Sequence, residues 1–322
     1  MNSVSSSRRQ SASGPGTTSG PDQTAGALID HHCGLLQLGP FDSREMLSVG
    51  QSGSLVIRLV RGEQRLILKI TTDANRLARA RTELRLISRA TGGLADAMPR
   101  YVTGHADHDA VSLVTEEHSP LPPATKITDQ EWSVLATSLG QLHSLSVPPW
   151  SDLPTAAAVD PRRVAAAAQL WREFGDGDDA VRAARLLLHV INTGRSTRSA
   201  LLTHGDCHTE NIVRDEYGSF RWIDWQEACL GDGCGDLVFL WQRAEFTGAR
   251  PPREAMITAY SAARQLQPDA DLRRALDAAE LRSLFLGWPP FLPNGTAENR
   301  QRMVDRLPKL LDALGRQQDF PS

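Results

Sequence analysis

The chain has 322 residues, 40% hydrophobic and 23% charged, with a net charge of −3 and a pI near 6.3. That length can bury a substantial core in one large domain or two lobes. The composition excludes a disordered chain, and the slightly acidic balance excludes nucleic acid as the main partner, because such a partner calls for a basic face.

No apolar run approaches the ~18 residues needed to span a bilayer, so no membrane segment is expected. The four cysteines (Cys33, Cys207, Cys229 and Cys234) have no secretory context, and reduced thiols in a cytoplasm are the default. Arg8-Arg9 is not read as an export signal, since no apolar core follows it. Residues 1–26 are mostly Ser, Gly, Thr and Pro and bury too little to offset their ordering entropy, so they read as a disordered tail.

Two strand-like runs follow, "EMLSVGQSGSLVIRLV" and "QRLILKI", joined by a turn at Arg61-Gly62-Glu63. Asp73 can cap a helix that carries Leu77, Leu84 and Ile87 on one face and ends at Gly92-Gly93. "DAVSLVTEE" is a further strand, followed by the turn-rich "HSPLPP". Thr128 and Glu131 form a capping-box pattern ahead of Trp132, Leu135, Leu139 and Leu142. Asp160-Pro161 opens another helix, and residues 178–191 and 253–286 are helix-like. The predicted architecture is α+β in two lobes. A small β-rich N-lobe with one helix spans 27–115, and a larger, mostly helical C-lobe spans 116–322.

The stretch "THGDCHTENIVRDEYGSFRWIDW", residues 203–225, sets Asp206, Glu210, Asn211 and Asp224 between short apolar runs. A buried carboxylate is costly unless it is paired, hydrogen-bonded or metal-bound. Asp206 and Asn211 lie five apart in a loop, and one hairpin returns the chain to Asp224. A small set of oxygen ligands suits magnesium shared with nucleotide phosphates. Phosphoryl transfer needs that metal, a carboxylate aimed at the attacking hydroxyl, and a cation on the phosphates. Lysine occurs only at 69, 126 and 309, and Lys69 falls inside the strand-like "LILKI". Glu83 on the next helix is its natural partner, and the loop "GQSGS" can bring backbone N–H groups to phosphate.

"HGDCHTEN…IDW" resembles the HGDxxxxN and ID[FW] motifs of the aminoglycoside phosphotransferase family, which is related to choline kinases and eukaryotic-like protein kinases. The motif order covers roughly residues 40–240. The resemblance implies a protein-kinase-like fold and an enzyme that uses ATP, with GTP not excluded, and Mg²⁺. It implies Asp206 as catalytic base, Asn211 and Asp224 as metal ligands, and Lys69 with Glu83 as the phosphate-orienting pair. Ser52 and Gly53 of the glycine loop, with Thr115 and Glu117 of the linker, would contact the nucleotide. "GDGCGDL" resembles the family's GDxxxDL, where Asp236 would support the catalytic loop by hydrogen bonds. The loop lacks the asparagine often found there, and Glu116-Glu117 stands where one apolar residue is more usual.

His204 reads as structural, Cys207 as space-filling, and His208 and Glu210 as solvent-facing. Gly205 replaces the arginine by which protein kinases sense activation-loop phosphate, which argues for an unregulated small-molecule kinase. The expected acceptor is a hydroxyl of an antibiotic, giving resistance or self-protection, with a choline- or sugar-like metabolite as the alternative. Aminoglycosides are the family default. Residues 151–200 hold six Asp/Glu against seven Arg, and residues 241–322 ten against twelve Arg/Lys, which favours a less cationic nucleoside or macrolide type. "FLGWPPFLPNG" at 285–295 could line such a site, whereas "DGDD" at 176–179 could supply carboxylates to it. Remoter readings are a metallohydrolase built on His204, Asp206 and His208, and a nucleotide-binding pseudokinase. The sequence sets no oligomeric state.

Overall fold

The computed structural model describes residues 21–49, 53–149, 152–156, 159–175, 177–193 and 200–316. Helix α1 (Pro21–Leu35) leads into strands β1 (Ser43–Val49), β2 (Ser54–Arg61) and β3 (Gln64–Thr71), helices α2 (Leu77–Arg89) and α3 (Gly93–Ala97), and strands β4 (Tyr101–Ala106) and β5 (Val111–Glu116). The strands form one antiparallel sheet in the order β1-β2-β3-β5-β4. Strand residues alternate between faces. Ile57, Leu59, Leu66, Leu68, Ile70 and Val114 therefore share one face, and α1 covers it with Ile29, Cys33 and Leu36. The opposite face carries Lys69, which lies across from Val56 and Leu113 in the register.

The extent of the tail is corrected here, because α1 begins at Pro21, inside the segment read as disordered. A polar composition does not preclude ordering once the next turns carry Ile29, Cys33 and Leu36 at helical spacing against a sheet face. Residues 1–20 lie outside the described residues. The cap of α2 also differs. Arg76 occupies the N-cap position, and Asp73 instead accepts from Asn75 N at 2.9 Å in a local turn. Strand β4 has no counterpart among the predicted elements.

The chain changes lobe just after β5. β6 (Ser119–Pro120) already pairs with β8 (Ile212–Arg214), which pairs in turn with β9 (Phe220–Trp222). The C-lobe continues through α4 (Asp129–Leu142), α5 (Pro161–Trp171), α6 (Gly177–Thr193), β7 (Leu201–Thr203), β10 (Cys229–Gly231), α7 (Cys234–Phe246), α8 (Arg253–Ala263), α9 (Ala270–Gly287) and α10 (Ala297–Arg316). The Thr128–Glu131 capping box opens α4, and Asp160 accepts from Arg162 N at the start of α5. The helix-like run 253–286 is divided into two helices, α8 and α9. Gln265 takes a left-handed φ of 54°, and Asp269 caps α9 by accepting from Leu272 N.

One core joins the N-lobe's Leu86, Ile87 and Leu113 to Trp132, Leu139, Trp222, Trp225 and Trp241 of the C-lobe. A second core packs α5, α6, α9 and α10 around Trp171, Phe285 and Trp288. The "FLGWPPFLPNG" stretch is thus split between core and surface. Phe285, Trp288 and Leu292 are buried, and Phe291 is exposed. Among the described residues no helix is long and apolar enough to cross a membrane, and the four cysteines are free thiols.

Candidate active site

Strand β7 pairs with β10, and this short ladder sets the loop 204–211 beside the segment 224–228. The approach is so close that position 205 admits no side chain. Gly205 has φ +80°, and a Cβ built there would lie 2.0 Å from the Glu227 carbonyl oxygen. Glycine is thus required at 205 for a backbone reason, whatever its bearing on regulation.

Asp236, in the first turn of α7, ties the loop down from below. Its Oδ2 accepts from His204 N at 2.6 Å and its Oδ1 from Gly205 N at 2.9 Å. His143 Nε2 lies 3.1 Å from Oδ2, and its Nδ1 lies 2.8 Å from the Tyr260 hydroxyl. Burial would raise the Asp236 pKa, but His143 and the backbone donors outweigh it and hold the carboxyl below its usual range. This support matches the role expected of Asp236; the His143–Tyr260 extension has no signature in the sequence. His204 is structural, as expected. It donates from Nε2 to Ile223 O at 2.8 Å, and burial lowers its pKa.

Asp206, Asn211 and Asp224 come together. Asn211 Nδ2 donates to Asp206 O at 3.0 Å and to Asp206 Oδ2 at 3.1 Å, and Ile223 N donates to Asn211 O at 2.9 Å, next to Asp224. Because the amide nitrogen is engaged, its oxygen is the atom available to a cation. Asp224 itself sits in the left-handed region, φ 63° and ψ 63°, a conformation that Asp tolerates better than most residues.

Lys69 reaches the same place from the N-lobe. Its Nζ lies 2.8 Å from Glu83 Oε2, 3.1 Å from Glu83 Oε1 and 2.6 Å from Asp224 Oδ1. Burial alone would lower the lysine pKa, but the two carboxylates outweigh it and keep the ammonium charged. Glu83 Oε1 also accepts from Trp225 N at 3.1 Å, so α2 is fastened to the segment that carries Asp224. An ion pair between Arg79 and Glu227 adds a second fastening.

The remaining nucleotide contacts are less well supported by the geometry. Ser52 lies outside the described residues, and Gly53 holds φ +65° beside Asp73. Thr115 is buried in the β5 ladder, paired with Ile67. Glu117 N donates to Arg65 O at 3.0 Å, and its carboxylate takes Arg58 Nε at 2.7 Å. Its N–H and that oxygen are engaged, which leaves its carbonyl as the backbone group a base could meet. The acidic stretch at 176–179 does not gather at the site. Asp179 pairs with Arg182, and Asp176 lies outside the described residues.

His208 requires a clearer correction, whereas Glu210 faces solvent as expected. The His208 side chain is only 14% exposed, and its Nδ1 lies 2.6 Å from Glu210 Oε2. Burial alone would lower the histidine pKa, but hydrogen bonds to Asp206 and Glu210 push it up to about 9. The bond to His208 pulls Glu210 down to about 2. Burial would raise Asp206, yet His208 outweighs it and holds that carboxyl below the usual range.

The donor set fits magnesium held jointly with phosphates, which takes one or two protein oxygens and keeps the rest for water and ligand. It does not fit a resident zinc or iron centre. His204 Nε2 is engaged with Ile223 O, and among the described residues no group of three or more His, Cys, Asp or Glu is placed to hold a metal.

Comparison with curated proteins gives no match. Among solved structures the chain is similar to the apoenzyme of macrolide 2'-phosphotransferase MphH from Brachybacterium faecium, with 18% identity over 87% of this chain and 97% of that one, TM-score 0.56. It is also similar to amicoumacin kinase hAmiN in complex with AMP-PNP, Ca2+ and Ami, with 13% identity over 89% and 93%, TM-score 0.61. Choline kinase LicA from Streptococcus pneumoniae matches with 14% identity over 90% and 99%, TM-score 0.55. At these identities the likeness establishes the kinase-like fold. The sequence profile of the phosphotransferase enzyme family (APH) matches residues 45–277, more than half of the chain, and the protein belongs to that family.

Proposed function

We propose that the protein transfers the γ-phosphoryl group of ATP to a hydroxyl of a small molecule. The observation that carries this reading is the bridge from Lys69 to both Glu83 and Asp224, with Asp206 and Asn211 joined beside it. When bound, the nucleotide supplies the phosphoryl group, and Mg²⁺ neutralises charge on its oxygens.

Asn211 Oδ1 and the Asp224 carboxylate are the oxygens that would hold the metal. Lys69, charged and oriented by Glu83, would exchange part of its contact with Asp224 for α- and β-phosphate oxygens. Asp206 stays ionised despite its burial, so it can orient the acceptor hydroxyl and take its proton as the oxygen attacks. Asp236 and Gly205 hold the loop still while this happens, and Glu83 keeps α2 in the working position. No phosphorylation-dependent rearrangement is needed to assemble the lysine pair, which supports an unregulated small-molecule kinase.

The acceptor is an antibiotic-type hydroxyl compound, so that the activity confers resistance or self-protection. Many carboxylates of the C-lobe helices are already matched by arginine. Glu280 binds Arg253 and Arg306, Glu254 binds Arg273, and Asp179 and Asp312 share Arg182. That pairing supports an acceptor less cationic than an aminoglycoside. Dependence on ATP and four free thiols support a cytoplasmic location. The reading is tested by following ADP or GDP release with Mg²⁺ and the corresponding triphosphate while a macrolide, a nucleoside antibiotic, an aminoglycoside and choline are added in turn. Acceptor-dependent release supports it, and no release above background with any of them counts against it.

A further inference from the structure

The roles assigned above leave two polar residues of the loop unused, His208 and Glu210. Both ring nitrogens of His208 are directed at specific atoms. Nδ1 lies against Glu210 Oε2 at 2.6 Å. Nε2 faces inward, 3.5 Å from Asp206 Oδ2 and 3.1 Å from Asn211 Nδ2. Glu210 is half-exposed and is held on its other oxygen by Arg243 at 3.5 Å. The Phe239 ring meets the imidazole edge-on, 6.0 Å between centroids. The ring is therefore fixed from the solvent side by a carboxylate and from the α7 side by an aromatic face. A histidine that only filled space would not need a dedicated partner on one nitrogen and a site carboxylate facing the other.

We propose that His208, braced by Glu210, is a positioning residue that holds the Asp206 carboxylate in register with the Asn211 amide, which donates to the same carboxylate oxygen. The inference rests on the reading of this loop as a phosphoryl-transfer site. Asp206 must present one oxygen to the acceptor, and Asn211 must keep its amide oxygen turned to the metal. Both side chains have free torsions, and a small misplacement of either lowers the population of reactive geometry. An N–H at His208 Nε2 aimed at Asp206 Oδ2 fixes that carboxylate, and the Asn211 amide N–H that donates to the same oxygen is fixed through it. Partners of this kind behind metal-binding and reacting side chains are typically worth about 10–100-fold in affinity or activity.

Three substitutions separate this role from a structural one. His208→Ala removes both contacts. His208→Asn keeps a polar atom near Nδ1, on the Glu210 side, and His208→Gln keeps one near Nε2, on the Asp206 and Asn211 side. With the best acceptor of the panel, His208→Ala and His208→Asn should lower kcat by about 10–100-fold with little change in acceptor KM. His208→Gln should recover most of that loss. Calorimetric titration with Mn²⁺–ATP and with metal-free ATP provides a readout independent of turnover. The Ala and Asn variants should weaken the metal-bound form severalfold and leave the metal-free form unchanged, at an unaltered melting temperature. A His208→Ala enzyme with more than half of wild-type kcat, or with unchanged Mn²⁺–ATP affinity, overturns the proposal. So does a Gln variant as impaired as Ala, or losses that track a fall in melting temperature. Should the wild type turn over no acceptor, the functional reading fails, and the Mn²⁺–ATP titration still decides the role of His208.

Discussion

Replacing Asp236 by alanine is the substitution whose cost can be worked most directly from the structure. Asp236 is 3% exposed, and its carboxylate accepts from one buried backbone donor, His204 N, and one part-buried donor, Gly205 N. A buried donor left without a partner costs about 1–3 kcal/mol and the part-buried Gly205 N costs less, so the pair amounts to about 3 kcal/mol before His143 is counted. At about 2–4 °C per kcal/mol for a chain of this size class, the melting temperature should fall by about 10 °C. Asp236→Asn keeps the shape and one acceptor oxygen and should fall by less. The assay is urea unfolding paired with thermal melting, with nucleotide binding measured at low temperature to separate folding from function. An Asp236→Ala protein that melts within a degree or two of wild type would show that Asp236 does not anchor the loop 204–206.

Gly205→Ala should cost about 2–4 kcal/mol in urea unfolding, from the left-handed backbone and the contact with Glu227 O, and should depress kcat as well; stability and rate near wild type would contradict the packing of 205 on 227. Asp224→Ala should weaken Mg²⁺-dependent nucleotide binding more than metal-free binding, and titrations that match wild type under both conditions would remove Asp224 from the metal site. KM for the best acceptor should change little between low and moderate ionic strength, because many of the C-lobe carboxylates are already paired with arginine. A steep salt dependence would instead indicate a polycationic acceptor.

The parts of the fold that the sequence revealed are those with local rules. The turn at 61–63 and the capping box at Thr128 are specified by short-range chemistry, and both stand in the structure. Asp206, Asn211 and Asp224 were legible because carboxylates between apolar runs demand a reason, and Lys69 because a strand lysine does. What the sequence concealed depends on tertiary contact. Helix α1 is polar at its start and is ordered beside a sheet formed by residues far along the chain. The break at Gln265 is carried by "QPD", a signal that the apolar periodicity on either side obscured. His208 looked solvent-facing because nothing in the linear order shows that Phe239, 31 residues later, closes over it. The partners of Glu117 are hidden for the same reason, since Arg58 and Arg65 reach it across the sheet.

The central claim is that Asp206 serves phosphoryl transfer to a hydroxyl. It is tested most directly by mass spectrometry of an antibiotic and metabolite panel incubated with Mg²⁺ and ATP or GTP, with wild type and Asp206→Asn in parallel. The account predicts one acceptor gaining a single phosphoryl group on a hydroxyl with wild type, and at most a trace of that product with a folded, nucleotide-binding Asp206→Asn protein. A phosphorylated product formed equally by both proteins would contradict it.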